Sequence, residues 1–367
     1  MNNKIIFFYR DGRIKKLHNK NLESREFFFG YDYLKKKNYD LKIIEDNSIG
    51  ISNFHFIFRI INRLFLFTKL PIGTMISFLF HFQKVDKNRI LILTTNTQGI
   101  IFSIAKSLNL INNEIYFVIM GAVSVKISKL KQLFFNYIFK NINLIVQSKP
   151  ELYFLETKLP KIRKFFVPFG VNDEFWNSSN KVKNTNHDRF VLSIGNDLSR
   201  DYNTLISSWK DNFPRLIIIT SLPIKSNKKN IDIIKGDWKK YILTDFQIKE
   251  YYQKCLFVVL PIKNVIDASG QSVCLQAMAC KKSVIISKTI GFWDDEYFEN
   301  YKNILFCNHS DPKDLSIKVN ELLFDNNLNY NIAKNAQILI KKKFSYEIMS
   351  KEFEKVMLNN YENSHKF

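Results

Sequence analysis

Asp267-Ala268-Ser269-Gly270-Gln271-Ser272-Val273-Cys274-Leu275-Gln276-Ala277-Met278-Ala279-Cys280-Lys281-Lys282-Ser283-Val284-Ile285-Ile286 is the stretch that decides the fold. A turn of small residues follows the strand-like run Cys255 to Leu260. A short helix with small residues on one face comes next, and a β-branched apolar run closes the stretch. Strand, turn, helix and strand in that order make the repeating unit of a parallel sheet. A turn of this kind at a helix N-terminus offers unpaired backbone N–H groups and the positive end of the helix dipole, which makes anion binding cheap.

Runs of the same type recur on both sides of this stretch. In the first half they are Lys4 to Phe8, Leu41 to Ile44, Arg89 to Thr94, Ile115 to Ile119 and Ile142 to Val146. In the second half they are Phe190 to Ile194, Leu216 to Thr220, Cys255 to Leu260, Val284 to Ser287 and Ile304 to Phe306. Asn177 to His187 is polar and reads as the connection between the two sets. The expected organisation is therefore two α/β domains, residues 1–176 and 188–344, which the length of 367 residues suits. Asp311-Pro312 reads as a helix start with an Asp cap and Pro in the first turn. Thr244-Asp245-Phe246-Gln247 reads as a capping box.

The chain is 46% hydrophobic and 24% charged, which excludes a disordered protein. Its net charge of +21 includes clusters such as Lys35-Lys36-Lys37 and Lys341-Lys342-Lys343. Such charge implies an anionic partner, whether phosphate-bearing small molecule, anionic lipid surface or nucleic acid, unless it reflects a bias towards Lys and Asn alone. No arginine-rich helix or recognisable RNA- or DNA-binding module accompanies it, so nucleic acid is the weakest of these. The segment Phe56 to Lys84 mixes Arg59, Arg63, Lys69, His81 and Lys84 with many Phe, Ile and Leu residues. It reads either as a peripheral contact with an anionic membrane or as helices broken near Pro71 and Gly73 and packed on the first sheet. Cys255, Cys274, Cys280 and Cys307 form no C-x-x-C pair, the histidines form no constellation, and no metal site is expected. With no signal-peptide-like run and no span of about 20 apolar residues, a reduced, cytoplasmic protein is expected, with the inner face of the cytoplasmic membrane as its possible station.

From Phe190 to Met357 the sequence resembles the C-terminal domain of GT-B glycosyltransferases, in particular the retaining group 1, or family 4, enzymes. Gln276-Ala277-Met278-Ala279 and Lys281-Lys282-Ser283-Val284-Ile285 stand where that family has a Glu-Ala-Met-Ala helix and a Gly-Lys-Pro-Val-Ile strand. Val191-Leu192-Ser193-Ile194-Gly195 through Ile206 is similar to its first donor-domain strand and loop. Phe166-Val167-Pro168-Phe169-Gly170-Val171-Asn172-Asp173 is similar to its hinge, and Leu144 to Glu151 to the strand before it. Ala333-Lys334-Asn335-Ala336 with Phe344-Ser345-Tyr346 resembles its closing helices.

The resemblance implies a GT-B fold: two Rossmann-like domains whose parallel sheets face each other across a cleft, with a last helix, about 345–367, returning to the first. It implies transfer of a sugar from a nucleotide-diphosphate sugar to a glycan or lipid-linked acceptor, with retention, in surface polysaccharide or glycoconjugate synthesis. No cofactor beyond the nucleotide sugar is implied. Donor-binding residues carried over are Gly195, Arg200, Asp267, Ser269, Gly270, Gln271, Ser272 and Gln276. Arg200 is assigned to the diphosphate, since a guanidinium grips two oxygens at once; a surface ion pair with Asp197 or Asp201 is its other reading. Gly195 lets the loop approach the ligand closely. On the acceptor side stand Thr95 and Asn96, at the end of a strand, and Glu26, which either faces the acceptor or caps and solvates a helix.

Two departures stand out. Gln276 occupies the place of the family's second glutamate, and counting back eight reaches Ala268, so neither glutamate is present. An amide still bonds a ribose hydroxyl, and Asp267 is the nearby carboxylate left for the sugar, or else a solvated turn residue. Met120-Gly121 stands where many members carry a His, so no catalytic residue carries over. The departures leave open a degenerate GT-B protein that binds a nucleotide or partner without catalysis.

Overall fold

The computed structural model describes residues 4–19, 22–49, 63, 72–79, 85–123, 127–177, 189–236 and 243–364. The connection Asn177 to His187, apart from Asn177 at the end of the helix Asp173–Asn177, and most of the segment Phe56 to Lys84 lie outside the described residues; of the latter the structure gives the helix Ile72–Leu79, with Ser77 and Phe78 buried.

Two six-stranded parallel sheets organise the chain. The first comprises β1 (Lys4–Tyr9), β2 (Asp40–Glu45), β3 (Ile90–Leu93), β4 (Ile115–Ile119), β5 (Asn143–Val146) and β6 (Arg163–Phe166), in the order β2-β1-β3-β4-β5-β6. The second comprises β7 (Phe190–Ile194), β8 (Arg215–Thr220), β9 (Ile231–Lys235), β10 (Val258–Leu260), β11 (Val284–Lys288) and β12 (Leu305–Asn308), in the order β12-β11-β10-β7-β8-β9. The two α/β sheets are those expected from the apolar runs. β6 and β9 were not among those runs, because both are edge strands that carry charged residues within their short length, Arg163-Lys164 and Asp232 with Lys235.

The central strands are buried on both faces, which is why they read as unbroken apolar runs. One core joins Ile6, Phe8, Leu91, Leu93, Phe117 and Leu144 to Phe102, Phe135 and Phe139. The other joins Val191, Leu216, Ile218, Val259 and Ile285 to Trp209, Leu315, Val319 and Leu322. Helix starts are locally encoded. Thr244 forms its capping box with Gln247, and Asp311 accepts from the N–H groups of Lys313 and Asp314 ahead of Pro312 in the first turn.

In each sheet the winding reverses once, between β1 and β3 and between β7 and β10. The crevice at the carboxyl ends of the strands beside such a switch point is where open α/β sheets hold ligands.

The chain divides into two compact units: residues 1–19, 31–167 and 356–367 form one, residues 20–30 and 168–355 the other. The division falls between Val167 and Pro168, so residues 168–176 group with the second unit and not, as expected from the sequence, with the first. The closing helix Tyr346–Ser364 passes from the second unit to the first at Val356. Residues 20–30 leave the first half of the sequence for the second unit because their polar groups are paired there. Ser24 donates to Asp245 Oδ2 from its N–H at 3.0 Å and from its hydroxyl at 2.8 Å, and Phe246 N donates to the Leu22 carbonyl at 3.0 Å.

Candidate functional site

The switch point of the second sheet is built by the loops leaving β7 and β10. Gly195 ends β7, and its carbonyl accepts from Tyr202 Oη at 2.8 Å and Thr220 Oγ1 at 2.7 Å. Asn196 ties the next residue down by donating to the Gly236 carbonyl at 2.8 Å and accepting from Ser221 N at 2.6 Å. The two loops are joined by a bridge between Arg200 and Ile262, flanked by Asp201 N to the Pro261 carbonyl at 2.9 Å and Lys263 N to the Ser199 carbonyl at 2.9 Å.

That bridge carries the Arg200 side chain inward, where it is 3% exposed. Nε lies 2.9 Å from Asp197 Oδ2, an ion pair whose angles are not those of a hydrogen bond, and among the described residues neither Nε nor Nη1 has a hydrogen-bond partner. A Cβ on Gly195 would stand 2.1 Å from Nε, and one on Gly270 would stand 3.1 Å from Nη1. The guanidinium is thus wedged between two glycines. A buried donor without a partner costs about 1–3 kcal/mol, which an anion bound there recovers.

Gly270, at φ +83°, turns the chain into the helix Gln271–Ala279 without a side-chain cap. Gln271 N reaches back to the Ala268 carbonyl at 3.3 Å; the N–H groups of Ser272 and Val273 precede any intrahelical acceptor and point out of the helix end. Ser269 Oγ donates to Asp197 Oδ1 at 2.6 Å. Asp267, half-buried, is held above the usual carboxylate range by burial first and by the Asp197 charge second. The result is a cationic floor and helix end beneath a rim of two carboxylates, a surface that suits a phosphate below and hydroxyl groups above.

Of the residues expected at this site, Gly195, Arg200, Asp267, Ser269, Gly270, Gln271 and Ser272 are drawn together by the two loops. Arg200 does pair with Asp197, but from the interior and not as a surface ion pair. Gln276 lies further along the helix, and its amide Nε2 donates to Glu26 Oε1 at 2.8 Å. Glu26 itself requires a correction. It does not belong to the first unit with Thr95 and Asn96, and it neither caps nor solvates a helix. It is fully buried in the second unit, accepting also from Trp176 Nε1 at 3.1 Å and Asn172 N at 3.3 Å. Burial, then the Asp245 charge, raises its pKa above the usual value. A glutamate at 276 would have set a second buried carboxylate against Glu26; an amide supplies a donor instead.

Asn196 and Asp197 were not foreseen as site residues. Their signal was position: they follow the glycine that ends β7, and Asp197 precedes Arg200 by three.

The switch point of the first sheet is different in kind. Thr94 Oγ1 donates to the Phe8 carbonyl at 2.7 Å. Thr95 caps the helix Asn96–Ser107 in a capping box with Gln98, and Asn96 holds the exit of β4 by donating to the Met120 carbonyl at 2.6 Å. Gln98 Oε1 accepts from Thr94 N at 3.0 Å and Thr95 N at 3.1 Å, while Nε2 donates to Asp46 Oδ1 at 2.7 Å. Buried Asp46 is pushed up to about 6, by desolvation first, with the charges of Asp11 and Glu45 adding to the rise. Thr95 and Asn96 therefore stand at the crevice with their side chains engaged in holding it.

All four cysteines are buried and unbonded, and burial raises each thiol, Cys255 to about 11. Among the described residues no group of three His, Cys, Asp or Glu side chains is placed to hold a metal, and no helix is long and apolar enough to cross a membrane.

Residues 226–339, within the second unit, match the family described as glycosyl transferases group 1. No curated protein matches the sequence. Among solved structures, the chain is similar to sucrose-phosphate synthase from Thermosynechococcus elongatus, at 13% identity and TM-score 0.70, over 98% of this chain and 99% of that one. It is similar to Anabaena HepE in complex with UDP-glucose, at 12% identity and TM-score 0.65, over 97% and 99%. A glycosyltransferase from Rickettsia africae aligns at 13% identity and TM-score 0.65, over 96% and 97%. The fold is thus GT-B.

Proposed function

We propose, from the match of residues 226–339 to the glycosyl transferases group 1 and from the GT-B fold, that the chain moves a sugar from a nucleotide-diphosphate sugar to a glycan or lipid-linked acceptor with retention of configuration. The work is surface polysaccharide or glycoconjugate synthesis, carried out in the cytoplasm at the inner, anionic face of the membrane. The observation that carries the reading is the Arg200 guanidinium, buried with an unpartnered Nη1 between Gly195 and Gly270 at a switch point. The UDP-glucose bound to HepE supports a nucleotide sugar as the donor.

In this reading the donor diphosphate lies over Arg200 and the N-terminus of the helix Gln271–Ala279. The bond between the anomeric carbon and the donor oxygen breaks, its electron pair goes to the diphosphate, and Arg200 with the helix N–H groups stabilises that charge as it develops. The acceptor oxygen bonds to the anomeric carbon on the face the diphosphate leaves, and its proton passes to the departing phosphate oxygen. Asp267 and Asp197 accept from sugar hydroxyls at the rim. No cofactor takes part.

A thermal-shift panel of UDP, GDP, ADP and CMP with their sugar conjugates tests the reading, because a ligand that binds only the folded chain raises its melting temperature. One base is expected to stand out, and the matching sugar donor to give a product with the donor's anomeric configuration by NMR. No shift with any nucleotide sinks the proposal and leaves a non-catalytic GT-B protein; an inverted product sinks retention alone.

A further inference from the structure

The helix Lys129–Phe139 is apolar on two faces. Phe135, Ile138 and Phe139 enter the first core, with the rings of Phe135 and Phe139 stacked at 5.3 Å. On the other side Leu130, Leu133 and Tyr137, at i, i+3 and i+7, are 80%, 66% and 52% exposed, with half-buried Phe134 between them. A helix of a water-soluble surface normally turns polar residues outward, so this stripe stands without an explanation in the fold.

Charge says what covers it. From Ile115 to Pro150 the sequence has five lysines, Lys126, Lys129, Lys131, Lys140 and Lys149, and no Asp or Glu. At about 100° per residue, Lys129 and Lys140 flank one side of the stripe and Lys131 the other. Lys140 Nζ lies 5.2 Å from the centre of the Tyr137 ring. Protein interfaces deplete lysine, whereas an apolar stripe edged by lysines, with a tyrosine among them, matches acyl chains below and lipid phosphates beside. We infer that this helix lies on an anionic membrane surface, Leu130, Leu133 and Tyr137 entering the interface and Lys129, Lys131 and Lys140 meeting the headgroups. The inference rests on the proposed peripheral contact with an anionic membrane and assigns it a surface.

The helix also starts in a useful place. It follows the loop that leaves β4 at Met120, which Asn96 holds at the carboxyl edge of the first sheet. Docking through its N-terminal half therefore brings the membrane to the edge where Thr95 and Asn96 stand, the side proposed for a lipid-linked acceptor.

Flotation of the full chain with phosphatidylcholine vesicles, alone or with about one-third phosphatidylglycerol, is the test. The wild type is expected to float with the anionic vesicles and not the neutral ones, and to be released by salt. The triple variant Leu130→Glu, Leu133→Glu, Tyr137→Glu is expected to lose flotation while keeping its melting temperature and its nucleotide-induced shift. The triple variant Lys129→Ala, Lys131→Ala, Lys140→Ala is expected to bind about a hundredfold more weakly, about fivefold for each charge near the surface. Phe324→Glu, an exposed apolar residue of the second unit, is expected to float as the wild type does. A wild type that does not float, or a stripe variant that floats unchanged, overturns the inference. So does a wild-type dimer that the stripe variant turns into a monomer, since the stripe would then face a second copy. Flotation without any nucleotide shift upholds the docking surface and sinks only the donor reading.

Discussion

At the switch point of the second sheet the buried charged side chain is Arg200; beside that of the first it is Asp46, at the end of β2 and held by Gln98. Both are buried, at 5% and 8% exposure. Arg200 keeps donors unsatisfied and is pressed between glycines, whereas the Asp46 carboxylate receives an amide proton and Gln98 in turn quiets the N–H groups of Thr94 and Thr95. The winding of a parallel sheet thus fixes where a crevice lies, and the charge placed there fixes what it holds. One crevice is poised for an anion, and the other is closed upon itself and acidic.

The widest separation between the two is expected from Arg200→Ala. Removing the guanidinium proposed to meet the developing charge should lower kcat/KM by about 10²–10³, with Arg200→Lys also impaired because a point charge cannot grip two oxygens. Steady-state transfer rates measure this, and a variant within threefold or so of the wild type would break the contrast.

Gly195→Ala asks the same question through geometry alone. Its Cβ would fall 2.1 Å from Arg200 Nε, so the guanidinium must move while the charge stays. Donor affinity, read by calorimetric titration, is expected to fall about tenfold, the loss of one well-placed charged hydrogen bond. Unchanged affinity would mean that Arg200 acts from elsewhere.

At the first switch point the expected effect is on stability. Asp46, at about 6 in the folded chain against about 3.9 unfolded, binds its proton more tightly when folded. Its contribution is therefore fully present below pH ~4 and lost as pH rises through ~6. Asp46→Asn keeps an oxygen for Gln98, so it should match the wild type at pH 4 and exceed it by about 1–3 kcal/mol at pH 7.5, measured by urea unfolding. A variant less stable than the wild type at pH 7.5 would show that the nearby charge of Arg10, which opposes the rise at Asp46, makes the charged form welcome, and the first crevice would no longer be closed upon itself.

The smallest expected effect is none. With charge relief assigned to Arg200 and a helix end, transfer is expected to survive EDTA, and an EDTA-sensitive rate restored by a divalent ion would move that role to a metal.

Much of this was legible in the residues. The central strands read correctly because burial on both faces leaves only apolar side chains, and Gly270 before a small-residue run marked the turn into the uncapped helix Gln271–Ala279. The edge strands β6 and β9 escaped because an edge tolerates charge, and Arg163-Lys164 and Asp232 with Lys235 interrupt the apolar run. Glu26 escaped for a deeper reason: its partner Gln276 is 250 residues away, and its neighbours in sequence look like a helix start. Only the tertiary fold sends residues 20–30 to the second unit. It also explains why position 276 is an amide, which from the sequence alone was a departure without a cause. That Arg200 stands at the loop leaving β7 was readable, but its burial was not, since that depends on the bridge to Ile262.

Whether Arg200 holds the donor's diphosphate is measured by calorimetric titration of the wild type and Arg200→Ala with the nucleoside diphosphate that gives the largest thermal shift. Saturable binding to the wild type is expected, with a loss of about 2–3 kcal/mol, roughly a hundredfold, in a variant that keeps its melting temperature without ligand. Equal affinity in the two proteins would contradict it, and the anion would have to be sought outside the crevice between β7 and β10.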